Sequence, residues 1–316
     1  MQNQAYVYPS LERPNFLPKI GHGSECARHG EILHGVFEGP DARLVRGSVG
    51  LTCDALRSKA VFSADATGLI RVEPSWKTKA LRAVELAISF CDVPRCGGTL
   101  KISSNIPARP GFGSSTSDVV AAIRAVTGAF GIKASPEGIA NLAARAADSI
   151  AAIFSHRAVL FADDEGRIIE NFGGALPSMD VLGFNAGYSG FGASAGVSAR
   201  PRYDWWEVEA FRPLVGLIRR AVDTQDAALV GRVATASARI NQRHAPIECF
   251  DLLERLAGKC GALGLQIAHR GSVAGLLFDQ DDPDLNERIE SAKAVLAEDG
   301  FRSTWRFATG RKVVIS

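Results

Sequence analysis

The chain has 316 residues, 36 basic against 34 acidic side chains, a formal net charge of +2, and 46% hydrophobic and 22% charged residues. That balance describes a chain that buries a core and excludes an intrinsically disordered one. No run of about 18 uncharged apolar residues occurs, so no membrane span is expected, and a near-neutral charge leaves no footprint for nucleic acid or an anionic membrane surface. The opening stretch MQNQAYVYPSLERPNFLPKI lacks a basic segment followed by an apolar one, so it does not read as a secretory signal. The six cysteines (Cys26, Cys53, Cys91, Cys96, Cys249 and Cys260) include no CxxC pair and none near a His at zinc spacing. They read as reduced thiols of a cytoplasmic protein.

At about 100–200 residues per domain, two domains are expected. Residues 1–22 read as an N-terminal extension, 23–177 as a first domain and 178–316 as a second, with the boundary near Pro177. In chain order, Gly21–Gly50 is Gly-rich and strand-like, and Ala60–Ala64 with Leu69–Glu73 reads as a hairpin around Gly68. Thr78–Cys91 has a helical apolar face and Thr99–Ser104 is a short strand. After a Gly/Pro loop, Val119, Ile123, Val126 and Phe130 recur at helical spacing. Ser135-Pro136-Glu137 opens a further helix to about Ala147, with Ser as cap, Pro at the first position and an acid in the first turn. Arg157–Ala162 and Arg167–Glu170 flank DDEG as a hairpin, and Val181–Phe184 reads as a buried strand ahead of the loop GYSGFGASAG. Helices follow over about Phe211–Asp223, Asp226–Gln242 and Pro246–Cys260, then strands over Leu263–Ala268 and Val273–Phe278, a helix over Asp284–Glu298 and a strand over Phe301–Phe307. Without regular βα alternation, the class is α+β.

The stretch richest in chemistry is Pro107–Asp118, PARPGFGSSTSD. Gly111 and Gly113 permit positive φ and close approach to a ligand, and Ser114, Ser115 and Thr116 add hydroxyls. The first N–H groups of a helix lack intrahelical partners and sit at the positive end of its dipole, which makes a polyphosphate cradle. No Lys follows the glycines, so this is not a Walker A loop. The plain alternative is a helix whose Ser and Thr cap only their own backbone.

PxxxGFGSS followed by a small-residue helix resembles the second motif of the GHMP kinases. Ala27–Gly35, ARHGEILHG, resembles the first, and Gly261–Leu277, GALGLQIAHRGSVAGLL, the third, in the expected order. The wording is most similar to the propanediol-utilisation type of L-threonine kinase: His29-Gly30-Glu31-Ile32, Ser114-Ser115-Thr116-Ser117-Asp118, Ala147-Asp148-Ser149 and Ala268-His269-Arg270-Gly271. The resemblance implies a GHMP kinase fold, with an N-terminal ribosomal-protein-like β-α-β domain and a ferredoxin-like C-terminal domain. It implies transfer of the ATP γ-phosphate to the side-chain hydroxyl of a small amino acid, L-threonine first. Homoserine, serine or another small alcohol is the alternative acceptor, and a silent nucleotide- or amino-acid-binding sensor is the alternative function. ATP and Mg²⁺ are the implied cofactors, and a homodimer is left open.

By the same resemblance Pro107, Gly111, Phe112, Gly113, Ser114, Ser115 and Thr116 bind ATP, with Ser115 a candidate Mg²⁺ ligand. Asp148 matches the Asp that holds the acceptor hydroxyl; its plain alternative is a cap for SIAAIF. Glu31, His34, His269, Arg270, Gly271 and Ser272 fall at the substrate. Glu31 also reads as a structural ion pair, His29 and His34 as packing, and Arg270 as a carboxylate clamp or a solvated charge. Arg46 and Arg57 read as surface charge, and Trp205-Trp206 as core or interface. One departure stands out: Arg145 occupies the position where related kinases carry a metal-binding Glu. Glu137 lies about 16 Å from Asp148 along a continuous helix, too far to share an ion with it.

Overall fold

The computed structural model describes residues 19–39, 41–93, 96–107, 111–147, 157–187, 202–268 and 273–309. Two long antiparallel strands form its spine: β1 (Ile20–Glu38) and β2 (Leu44–Asp65). Their register slips between Cys26 and Ala27 and twice more between Arg28 and Leu33. Such bulges bend a strand and re-aim its side chains. Here they let one strand serve two cores. Its first part pairs with the end of β2 over the N-terminal core, and Glu31 pairs with Ile267 of the C-terminal sheet.

The N-terminal core is built by α1 (Thr78–Phe90), α2 (Ser114–Ala129) and α3 (Pro136–Ala146) against β2, β3 (Ile70–Glu73) and β4 (Gly97–Ser104). Helix α2 lies unusually close to β1. A Cβ at Gly21 would sit 2.0 Å from the Ala125 carbonyl oxygen, and one at Gly23 2.0 Å from that of Ala121. The alanines of α2 and the glycines of β1 are therefore one device, a backbone-to-backbone contact that removes Ala121, Ala122 and Ala125 from solvent.

The expected hairpin of Ala60–Ala64 with Leu69–Glu73 does not form. Strand β4 lies between β2 and β3, antiparallel to the first and parallel to the second. A parallel pair needs a crossover, and α1 supplies it, burying Ala80, Ala83, Val84 and Ala87 as it returns the chain. Strands β5 (Val159–Ala162) and β6 (Arg167–Asn171) do form the expected hairpin, against β2.

The C-terminal part pairs β7 (Met179–Asn185), β8 (Gly264–Ile267), β9 (Val273–Asp279) and β10 (Thr304–Thr309) in the order β10-β7-β9-β8, and β8 joins β1. Helices α4 (Trp205–Thr224), α5 (Ala227–Asn241), α6 (Phe250–Lys259) and α7 (Leu285–Glu298) cover it. Helix α4 begins at Trp205 rather than near Phe211, because Glu207 Oε2 accepts a hydrogen bond from Asp204 N at 2.7 Å and fixes the first turn. Trp205 and Trp206 are consequently exposed on that turn, at 66% and 53%, and are not core. The last strand starts later than expected, and Phe301 is instead a buried residue of the core beneath it. All six cysteines are free and buried. Among the described residues, no helix is long and apolar enough to cross a membrane.

Candidate active site

The start of α2 is held open. Its cap residue, Gly113, has φ +62 and ψ 26, and no side chain closes the helix end. The left-handed conformation suits glycine, and a Cβ here would meet Arg28 Cβ at 3.1 Å. Ser117 N reaches the Gly113 carbonyl at 3.0 Å, so the helical ladder begins there. The N–H groups of Ser114, Ser115 and Thr116 precede it in the first turn. The first turn is locked from behind: Ser117 Oγ donates to the Cys26 carbonyl at 2.8 Å.

In front of this turn lies a cleft of about 510 Å³, lined among others by Trp76, Lys77, Ile106, Ser114, Ser115 and Asp118. Asp118 is buried and held by two partners. Ser58 Oγ donates to its Oδ1 at 2.6 Å, and Lys77 pairs with its other oxygen. Phe112 does not line the cleft. Its ring is buried, 5.9 Å from His29 and 5.1 Å from Trp305, and pins the loop to the body. Pro107 lies just beyond β4 at the other end of the loop.

The first motif meets this loop directly. Arg28 N donates to the Phe112 carbonyl at 3.0 Å. The Arg28 side chain pairs with Glu31 at 2.8 Å, and donates to Gly30 O and Ser48 Oγ, both at 3.2 Å. Ser48 in turn donates to Asp163 Oδ1 at 2.9 Å. Burial beside Glu31 pushes the Asp163 carboxyl up to about 7, against the pull of Arg28 and Arg46. Arg46 is not surface charge. It grips Asp164 with two hydrogen bonds, at 2.9 and 2.5 Å. Arg57 remains half-exposed, 3.7 Å from Asp54.

Glu31 and His34 line a narrow crevice with Ser237, Asn241, Gln242 and Ala268. Ser237 Oγ accepts from His34 N at 3.0 Å, and Asn241 Nδ2 donates to His34 O at 2.8 Å. His29 is fully buried, 2.9 Å from Gln266 Oε1, and burial lowers its pKa to about 4. It is a packing residue. The third motif reaches the same place. Ala268 N donates to Val273 O at 2.8 Å, and a Cβ on Gly111 would strike Val273 at 2.7 Å. The three stretches, far apart in the chain, therefore meet around the loop that holds Gly111 and Gly113. Asp148, His269, Arg270, Gly271 and Ser272 lie outside the described residues. Arg145 sits in the last turn of α3, and the helix ends at Ala146 with Ala147 extended.

Two residues of this region were not singled out by sequence reasoning. Lys77 carried one signal, its place immediately before a helix start beside Trp76. Arg28 carried another, a lone basic residue within a buried Gly-flanked strand. Their partners are 41 residues away for Lys77 and 20 for the Arg28–Ser48 bond, beyond any local pattern.

The family model described as "GHMP kinases N terminal domain" matches residues 78–160, which span α1, β4, α2 and α3. The chain is 27% identical over 214 residues to the L-threonine kinase of Salmonella typhimurium, covering 65% of this chain and 66% of that protein. It is 28% identical over 199 residues to the L-threonine kinase of Citrobacter freundii, covering 59% of this chain and 64% of that protein. Residues 78–160 are thus similar to the N-terminal domain of the GHMP kinases. Its fold agrees: the homoserine kinase of Cytophaga hutchinsonii superposes with a TM-score of 0.65 at 13% identity, covering 97% of each chain. The mevalonate kinase of L. major, solved with R-mevalonate, gives 0.61 at 15% identity, covering 93% of this chain and 96% of that one. The α+β GHMP kinase fold expected from the motifs is the fold observed. The curated relatives are matched over about two thirds of their length.

Proposed function

We propose that this protein is an ATP-dependent small-molecule kinase that phosphorylates the side-chain hydroxyl of a small amino acid, L-threonine first. The observation that carries the reading is the open start of α2. Gly113 is left-handed, no side-chain cap is present among the described residues, and the turn opens onto a cleft of about 510 Å³ lined by Ser114 and Ser115. The first-turn N–H groups of a helix, at the positive end of its dipole, are ligands for phosphate oxygens.

In this reading the N–H groups of Ser114, Ser115 and Thr116 hold the nucleotide phosphates, and Gly111 and Gly113 let the backbone approach them. Asp148 accepts the proton of the acceptor hydroxyl. The hydroxyl oxygen bonds to the γ-phosphorus as the bond to the β–γ bridging oxygen breaks, and ADP leaves. Positioning and charge neutralisation account for most of catalysis in phosphoryl transfer. Glu31, on the crevice beside the third motif, is the acceptor's ammonium partner, exchanging its bond to Arg28 for one to substrate.

Among the described residues no group of three His, Cys, Asp or Glu could hold a metal ion. Mg²⁺, which would neutralise phosphate charge, fits here as a passenger of the nucleotide, with the exposed Ser115 hydroxyl as the protein's ligand. The free, buried thiols accord with a reducing cytoplasm.

ADP release should be measured with ATP, Mg²⁺ and a panel of threonine, serine and homoserine. Turnover should be highest with threonine, and Asp148→Asn should lower kcat by about 10²–10⁴-fold while the melting temperature is kept. Turnover with homoserine alone would overturn the threonine assignment. Nucleotide binding without turnover on any alcohol would favour the sensor, the alternative that Arg145 motivates.

A further inference from the structure

We infer that Lys77 is a ligand of the nucleotide phosphates, kept in position by Asp118 until the nucleotide enters. The inference rests on the kinase reading and extends it to a residue outside the three motifs.

Lys77 is the cap residue of α1, and its side chain makes no bond to that helix end. A cation at a helix N-terminus opposes the helix dipole, so α1 gains nothing from a lysine there. The side chain runs inward instead. It is only 11% exposed, lines the same cleft as Ser114 and Ser115, and pairs with Asp118. Asp118 is 8% exposed and lies one turn into α2, beyond the first-turn N–H groups. A carboxylate there, left uncompensated, would repel a polyphosphate. Lys77 cancels it.

The pair is also built to let go. Asp118 keeps the 2.6 Å hydrogen bond from Ser58 Oγ when the lysine turns, so its carboxylate is not stranded. An ammonium carries three donors on a flexible four-carbon stem. One donor can stay on Asp118 while another takes a phosphate oxygen. No covalent step is involved. The ion pair opens on one side, and a charge-assisted hydrogen bond to phosphate forms. Lys77 thereby places a fixed positive charge at the cleft in a chain whose Arg145 stands where related kinases carry an acid.

The test separates Lys77 as a phosphate ligand from Lys77 as a structural ion pair, because the two substitutions move binding in opposite directions. Calorimetric titration with a nonhydrolysable ATP analogue, inorganic tripolyphosphate and adenosine reads each part. Lys77→Met should weaken the analogue and tripolyphosphate by about tenfold or more, and leave adenosine unchanged. Asp118→Asn removes a repelling charge and frees the lysine, so it should tighten both anions by about threefold or more. Lys77→Arg should keep most of the affinity, and Lys77→Gln serves where Lys77→Met fails to fold. Parallel losses in both variants, or unchanged anion affinity in a folded Lys77 variant, would overturn the inference and leave the kinase reading standing. Absence of nucleotide binding in the unaltered protein would overturn the kinase reading itself.

Discussion

Helices α2 and α3 follow one another in the chain and begin in opposite ways. Helix α3 closes its own end: Ser135 Oγ accepts from Gly138 N at 3.0 Å, Pro136 occupies the first turn, and Glu137 complements the dipole. Helix α2 has a left-handed glycine at its cap, no side-chain bond and no acid in its first turn. It is nonetheless the more buried helix, with Val119, Val120, Ile123 and Val126 fully inaccessible. Its tertiary packing stabilises a helix that starts without a side-chain cap at Gly113. Where a chain satisfies a helix end locally, that end is structure. Helix α2 forgoes that cap and is anchored from behind, through Ser117 and the alanine contact with β1.

The sharpest break of this contrast is Gly113→Val. A β-branched residue at φ +62 costs about 1–2 kcal/mol in backbone strain, and its side chain would press on Arg28. The loop must relax out of the left-handed conformation, and the cradle is lost with it. Nucleotide affinity should fall by more than tenfold while the melting temperature drops by a few degrees, about what the strain alone would give. Titration calorimetry with thermal melts checks both. Equal loss of stability and unchanged affinity would show that the glycine serves only the fold.

The same contrast shows what the sequence can convey. Helix α3 was legible in full because its determinants, Ser135, Pro136 and Glu137, are neighbours. The positive φ angles ahead of α2 were legible because Gly111 and Gly113 announce them locally. Local chemistry also held the signal for the start of α4, in Asp204 and Glu207 at capping-box spacing, but the apolar periodicity from Phe211 masked it. What failed was long-range. The pairing of β3 with β4 rather than β2 depends on a crossover through α1. The burial of Arg46 depends on Asp164 across the sheet, and the tie of Lys77 to Asp118 on two helices docking. The resemblance placed Asp148 and the third-motif residues, and no local pattern could supply their geometry.

A second test sharpens the comparison on the side of the first motif, where polar groups are paired rather than open. Asp163, raised from 3.8 to about 7, holds its proton in the folded protein after the unfolded chain has lost it. The folded state then binds more protons between those values, so stability falls as pH rises from about 4 to 7. Urea melts at pH 5 and 8 should show the unaltered protein losing about 1–2 kcal/mol relative to Asp163→Asn, less than the full shift because the side chain keeps some solvent contact. Parallel curves would mean that Arg28 and Arg46 hold the carboxylate ionised throughout. In that case the network would be a set of fixed ion pairs rather than one sharing a proton.

The smallest effect belongs to the closed helix end. Ser135→Ala removes the side-chain acceptor for Gly138 N and leaves that donor to water, since the position is exposed. The loss should be about 0.5–1 kcal/mol, the ordinary worth of a solvent-accessible cap. Nucleotide affinity and turnover should not move, because α3 meets α2 through apolar residues of the core and not through its first turn. Denaturant titration measures the stability change, and ADP release under saturating ATP measures the rest. If Ser135→Ala weakened nucleotide binding as Gly113→Val does, the open and closed helix ends would be coupled, and a helix end could no longer be sorted into structure or site by its own cap alone.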